Sequence, residues 1–296
     1  VCIVYLVKVI VGMHVETAFS HIKNPMTAVL LTLLAAVGFS VIVFISSFAW
    51  KCILEFLYGA KIAFGEIRDV YVKANIAKYL PGGVMHFAGR NVLGHKLGFS
   101  QIDMALSTII EVITLIITAL VWSLILSYQS LVTTINEATG RFSVWLYLIA
   151  GIVVVAVIAA AVIYAHKKGL LQKYRKLFSL AFLKVFLLLF VIYTVTMLIP
   201  AALLVFIISG VLGVSLTIHA AILVVTAYML SWVVGYVVPI PGGLGIREAI
   251  LVLILSPVCG PQIATVAALL HRVASIIGDV IAFFVEVILA KITMKG

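Results

Sequence analysis

Long, nearly unbroken apolar runs dominate the chain, near residues 26–50, 104–127, 143–165, 181–209, 211–238 and 262–290. Each reaches the ~20 residues that a helix needs to cross the hydrocarbon core of a bilayer. The pattern therefore predicts an all-α, polytopic helical membrane bundle. A further apolar stretch, about 1–19, carries Lys8, His14 and Glu16. With no basic leader and no clear small-residue cleavage site, it reads as a first transmembrane helix rather than a signal peptide.

Two glycine-rich breaks interrupt this text, Pro81-Gly82-Gly83 and Pro241-Gly242-Gly243-Leu244-Gly245-Ile246-Arg247-Glu248. Such breaks free backbone polar groups that hydrocarbon cannot satisfy, so they have to be sheltered in protein or line a wet cavity. The run from Ala249 to Leu255 after the second break gives, with its flanks, only about a dozen apolar residues around Ser256-Pro257. That length suits a re-entrant segment, with a short thinned crossing as the alternative.

The composition agrees, at 65% hydrophobic and 10% charged, with a mean hydropathy of +1.32. A soluble domain, about a quarter charged, is excluded. The net charge of +10 is laid out as a topology signal. Lys167, Lys168, Lys173, Arg175, Lys176 and Lys184 share a loop without an acidic residue, which places that loop in the cytoplasm. The stretch from Lys51 to Lys96 is also basic and should face the same side, implying a multi-pass protein of the cytoplasmic (inner) membrane. Within it, Val70, Val72, Ile76 and Leu80 alternate with Lys73, Asn75 and Lys78, as in an amphipathic segment at headgroup level; a plain cytoplasmic connector is the alternative. No nucleic-acid partner is expected from charge arranged in this way. Cys2, Cys52 and Cys259 have neither metal-ligand nor redox spacing, so no metal and no cofactor are expected.

The two breaks lie 160 residues apart, and each is followed by a short apolar helix and a glycine turn. Those turns read Gly98-Phe99-Ser100-Gln101-Ile102 and Gly260-Pro261-Gln262-Ile263, and each opens a long span with ionisable residues, Glu111 in one and His271-Arg272 in the other. We read a single integral membrane domain, 1–296, with repeat-like halves at about 26–127 and 211–290. Interrupted segments at matching positions of two halves point to a transporter binding site; chance likeness between apolar segments is the competing account. An even number of crossings between the breaks favours parallel halves, and one misread span would invert them.

Arg272, Asp279 and Glu286 recur every seven residues and share a helical face with Ser275. Charges at membrane depth turn toward a protein interior or a wet cavity, which makes this face a candidate wall of a polar pathway. Glu111, about 12 Å along its helix from Asp103, needs a cationic partner such as Arg90, Arg247 or Arg272, or else a proton. Arg247 and Glu248 open the short helix after the second break, where free backbone N–H groups and a planar guanidinium favour an anion such as a phosphate. A structural pairing of Arg247 with Glu248 or Glu111 is the alternative. His86 and Arg90, four apart, share a face after the first break.

At the two breaks the chain resembles the transmembrane region of lysylphosphatidylglycerol synthases. That family carries one motif of the form Asn…Pro-Gly-x-x-Gly-Glu followed by arginine, and another of the form Pro-x-Pro-Gly-Gly-x-Gly-x-Arg-Glu. The second is complete here from Pro239 to Glu248, whereas in the first, around Asn75, Pro81, Gly82, Gly83 and Arg90, Met85-His86 stand where the pattern has Gly-Glu. If that glutamate balances a substrate cation in relatives, their substrate class does not transfer.

The resemblance implies a bundle with two re-entrant elements meeting near mid-membrane, and translocation of a lipid headgroup between leaflets. These 296 residues include no soluble aminoacyl-transferring segment, so lysyl transfer is not expected of them. The headgroup would belong to an anionic phospholipid or a polyprenyl-linked sugar and would meet Asn75, Pro81, Gly82, Gly83, His86, Arg90, Glu111, Pro241, Gly242, Gly243, Arg247, Glu248, Arg272, Ser275, Asp279 and Glu286. The alternatives are an intramembrane glycosyl or phosphoryl transferase using a polyprenyl-phosphate donor, with Glu111, Asp279 or His86 as base, or a non-catalytic subunit of a cell-envelope synthase. A homo-oligomer is also compatible.

Overall fold

The computed structural model describes residues 25–80, 85–138, 175–237 and 245–293, and every regular element among them is helical. In chain order these are α1 (Pro25–Tyr58), α2 (Phe64–Asn75) running into a 3₁₀ turn (Ile76–Tyr79), α3 (Met85–Lys96) and α4 (Gln101–Ala138). A second 3₁₀ turn (Arg175–Phe178) precedes α5 (Leu180–Phe206), which ends in a π turn (Ile207–Val211). Then come α6 (Ile218–Val237), α7 (Ile246–Cys259) and α8 (Pro261–Thr293). Five stretches are long and apolar enough to cross a membrane: Pro25–Tyr58, Gln101–Leu126, Leu180–Val211, Ile218–Tyr236 and Pro261–Ile292. They coincide with five of the six long apolar runs. The run at 143–165, the first stretch at 1–19 and the glycine breaks at 81–83 and 241–243 lie outside the described residues.

The described residues form two compact units, one made of the chain up to Leu126 and from Leu189 onward, the other of Ser127–Leu188. In the smaller unit Leu180, Leu183 and Leu187 stand exposed along the start of α5. The larger unit is inside out by the standards of a protein in water. Leu30, Leu34 and Val41 on α1 and Phe284, Ile288 and Ile292 on α8 face outward, while Arg90, Glu111, His271, Arg272, Asp279 and Glu286 are buried. Hydrocarbon outside and polar groups satisfied inside is the arrangement a bilayer enforces.

Small residues set the closest helix contact. α8 lies along α1 with Ala35, Ala36 and Ala274 fully buried between them. At Gly278 a Cβ would sit 2.4 Å from Cβ of Phe39 and 2.6 Å from the carbonyl oxygen of Ala36. Backbones approach this closely only where a side chain is missing.

Two helix hairpins frame the interior. The chain turns from α3 into α4 at Gly98 (φ +89°) and from α7 into α8 at Gly260 (φ +84°), both in the left-handed region that favours glycine. The Ser100 N–H, just before α4, donates at 2.5 Å to the Tyr58 hydroxyl at the end of α1. The whole excursion from 59 to 100 thus leaves and rejoins the same end of the bundle. Within it, α2 runs antiparallel to α8: Arg68 meets Glu286 at 2.5 Å and Asn75 meets Asp279 at 2.7 Å. Seven residues, about two turns, separate the contacts on each helix.

The amphipathic reading of residues 69–80 is therefore revised. Val70 and Val72 are buried in the bundle, Leu80 is exposed, and Tyr71 and Asn75 point inward. Arg68, Tyr71 and Asn75 answer buried acids on α4 and α8, which attaches this helix to the bundle by polar contacts as well as apolar ones, while Lys73 pairs with Asp69 on the same helix.

Candidate functional site

The interior of the larger unit holds a cavity of about 290 Å³, walled by side chains from all eight α-helices. Its charged groups arrive in pairs. On the α3–α4 hairpin, the Arg90 guanidinium donates to Oε2 of Glu111. The Tyr71 hydroxyl donates to Oε1 of the same carboxylate at 2.8 Å, and its ring lies under the guanidinium at 3.7 Å. Arg90 and Glu111 are each 3% exposed, and charges so buried are tolerable only when paired in this way. The sequence offers three partners for Glu111, and the fold selects Arg90.

Asp279 is held by the α2 side. Asn75 donates to Oδ1 at 2.7 Å, Lys78 meets Oδ2 at 2.7 Å, and the Tyr79 hydroxyl donates to Oδ2. On the α7–α8 hairpin, Glu248 accepts the Gly245 N–H at 2.7 Å through Oε2 and faces Nε of Arg272 through Oε1 at a looser 3.6 Å. The two hairpins thus carry the same pair in opposite order, arginine on the short helix and acid on the long one in the first, the reverse in the second. His271 donates from Nε2 to the carbonyl oxygen of Pro200, inside α5, at 3.0 Å. Ser275 bonds back to the Arg272 carbonyl at 2.8 Å rather than to its guanidinium.

Arg247 differs from the other basic side chains. It lies 5.4 Å from the ring centroids of both Trp232 and Tyr236, themselves stacked at 4.0 Å. Its Nε, like that of Arg90, is buried without a hydrogen-bond partner among the described residues, but unlike Lys78, Arg90 and Arg272 it enters no ion pair among them. Burial, and then the nearby Arg272, push its pKa down. Both act on a cation short of a counter-ion. His86, 7% exposed, also faces the cavity with a buried Nδ1 that lacks a partner among the described residues. Burial, followed by Arg90, Lys78 and Arg247, pushes its pKa down to about 3, so the imidazole is neutral.

The described lining thus contains four cations, Lys78, Arg90, Arg247 and Arg272, and three carboxylates, Glu111, Glu248 and Asp279. One positive charge is left over, in a recess whose walls are otherwise largely aromatic and aliphatic. Residues 3–282 match the family described as the lysylphosphatidylglycerol synthase TM region. The chain belongs to that family. No curated protein matches it. Membership in the lysylphosphatidylglycerol synthase TM family assigns it a role in translocating lipid headgroups across the membrane, as the non-catalytic, membrane-embedded part of such systems.

Of the residues singled out from sequence, Asn75, His86, Arg90, Glu111, Arg247, Glu248, Arg272, Ser275 and Asp279 converge on the cavity. Glu286 is fully buried and bound to Arg68, and is not among the lining residues. Pro81, Gly82, Gly83, Pro241, Gly242 and Gly243 lie outside the described residues. Sequence reasoning missed Tyr71, Lys78, Trp232 and Tyr236. The signal was present as spacing: Tyr71, Asn75 and Lys78 fall on one face of α2 and its 3₁₀ extension, and Tyr228, Trp232 and Tyr236 repeat every four residues on α6.

Proposed function

We propose that the cavity receives the phosphate of an anionic lipid headgroup, from a phospholipid or a lipid-linked sugar, as the headgroup passes between leaflets of the cytoplasmic membrane while its tails stay in hydrocarbon. The observation that carries this reading is Arg247, a guanidinium held over two aromatic rings without an acid to pair with among the described residues. An unpaired buried charge costs several kcal/mol, whereas a bound anion removes that cost and gains charge-assisted hydrogen bonds. Fixed donors of this kind replace headgroup hydration, which is the main barrier to flipping, and no covalent step is involved.

Two further features support a re-entrant, repeated architecture around this site. Both short helices turn at a left-handed glycine into a long span, and both hairpins close with an arginine–glutamate pair. In this reading the two halves contribute one wall each.

The test is translocation in liposomes of neutral lipid doped with an acyl-labelled anionic phospholipid. Arg247→Ala should slow it about tenfold or more, while Arg247→Lys, which keeps the charge but not the planar fork, should fall between. Translocation at the unmodified rate by Arg247→Ala would overturn the assignment.

A further inference from the structure

We propose that the cavity is selective for headgroups that carry one phosphodiester charge and neutral hydroxyls, with His86 as the group that reads the hydroxyls, and that it rejects headgroups bearing an ammonium. This inference rests on the reading of Arg247 as the phosphate contact and adds the class of headgroup.

Three observations exclude a cationic headgroup. Every carboxylate in the described lining is already engaged: Glu111 by Arg90 and Tyr71, Asp279 by Asn75, Lys78 and Tyr79, and Glu248 by the Gly245 N–H and Arg272. Most aromatic faces that would otherwise take an ammonium by cation–π contact already carry a cation, and the lining rings of Phe39 and Tyr228 meet the His271 ring instead. Arg247 stands over Trp232 and Tyr236, Arg90 over Tyr71, Trp50 and Phe87, and Lys78 and Arg272 over Tyr79. Finally, the leftover charge is a single positive one, which one phosphodiester cancels and which a second cation would double.

His86 supplies the positive half of the selection. It lines the same cavity as Arg247, one helical turn before Arg90 on α3, with its Nδ1 buried and unmatched among the described residues. A neutral imidazole offers one donor and one acceptor, so a hydroxyl can satisfy whichever nitrogen needs it. An ammonium would be a donor only, surrounded by Arg90, Lys78 and Arg247. Phosphoglycerol and a sugar joined to a polyprenyl chain by a single phosphate share the required chemistry.

The experiment uses the full chain in proteoliposomes and compares four acyl- or prenyl-labelled lipids: phosphatidylglycerol, a polyprenyl-phosphate hexose, phosphatidylethanolamine and lysyl-phosphatidylglycerol. One or both of the first two should move at least about tenfold faster than either ammonium-bearing lipid, and the faster of them identifies the source of the headgroup. His86→Glu supplies the missing acceptor for a cation and should narrow that ratio about tenfold. His86→Gln, which retains a donor and an acceptor, should preserve the ratio. Because each result is a ratio within one preparation, a loss of folded protein does not mimic it. Equal rates for phosphatidylglycerol and phosphatidylethanolamine, or an unchanged ratio in His86→Glu, would overturn the inference while leaving the Arg247 site intact. Failure of Arg247→Ala to slow any lipid would overturn both.

Discussion

Gly235 on α6 lies so close to the side chain of Arg247 on α7 that a Cβ there would sit 2.4 Å from its Cγ and 2.5 Å from its Nε. The missing side chain is a slot through which the arginine stem passes on its way to the rings of Trp232 and Tyr236. α6 thus positions the guanidinium twice over, by what Trp232 and Tyr236 supply and by what Gly235 omits.

Gly235→Ala should therefore act on function rather than on the helix. Alanine favours a helix interior over glycine by about 1 kcal/mol, which offsets part of the local crowding. The displaced guanidinium, in contrast, should lower headgroup translocation roughly tenfold to a hundredfold, as misplacement by about an ångström does at other sites. Translocation and thermal unfolding in detergent, measured together, separate the two effects. Full transport by Gly235→Ala would show that the arginine reaches its place by another route.

The grip on Asp279 makes an opposite, structural prediction. Asp279→Ala leaves Asn75, Lys78 and Tyr79 without their acceptor in a buried setting, and loss of one partner of such a pair costs about 3–5 kcal/mol. Replacing both charges, as Lys78→Met with Asp279→Leu, should be far milder because no charge is stranded. Thermal unfolding of the single and double variants decides it; equal destabilisation by both would mean that the contact contributes through packing alone.

The five described spans were legible in the sequence because a twenty-residue apolar run has few other uses. So was the face bearing Arg272, Ser275 and Asp279, because a seven-residue recurrence fixes a helical face without knowledge of any partner. What was not legible was the identity of partners far apart in the chain. Asn75 and Asp279 are 204 positions apart, and nothing local distinguishes Lys78, which reaches inward to Asp279, from Lys73, which pairs with Asp69 on its own helix. For the same reason Glu286 was placed with the cavity residues: its spacing is right, but Arg68 on α2 takes it up two turns away. The aromatic stripe of α6 was hidden because Trp232 and Tyr236 read as ordinary core in an apolar run until Arg247 is seen lying over them.

Gly278 supports a prediction about the scaffold. A methyl group there would press on the Ala36 carbonyl oxygen, a backbone atom of α1 that cannot move independently. Gly278→Ala should cost about 1–3 kcal/mol through forced separation of α1 and α8. Gly59, which has open space around it, also has φ +69° and so is not a fair control. Gly65 has open space and no such constraint, so Gly65→Ala should leave unfolding within about 0.5 kcal/mol of the unmodified protein. Equal unfolding temperatures for Gly278→Ala and Gly65→Ala would argue against tight backbone contact between α1 and α8.

The neutral state of His86 has a consequence for stability that can be read against pH. Burial first, then Arg90, Lys78 and Arg247, hold its pKa at about 3, against the ordinary 6.5. Above about 6.5 the side chain is neutral in folded and unfolded chains alike and contributes no pH dependence. Below that value the unfolded chain binds a proton that the folded chain refuses, so the stability associated with His86 falls progressively as pH drops from about 6.5 toward about 3. His86→Gln removes this titration. The drop in unfolding temperature between about pH 7.5 and about pH 4.5 should therefore be smaller in the variant than in the unmodified protein, while carboxylate titration, common to both, cancels in the comparison. Identical drops would mean that His86 accepts a proton inside the fold, and its role as a neutral reader of hydroxyl groups would fall with that result.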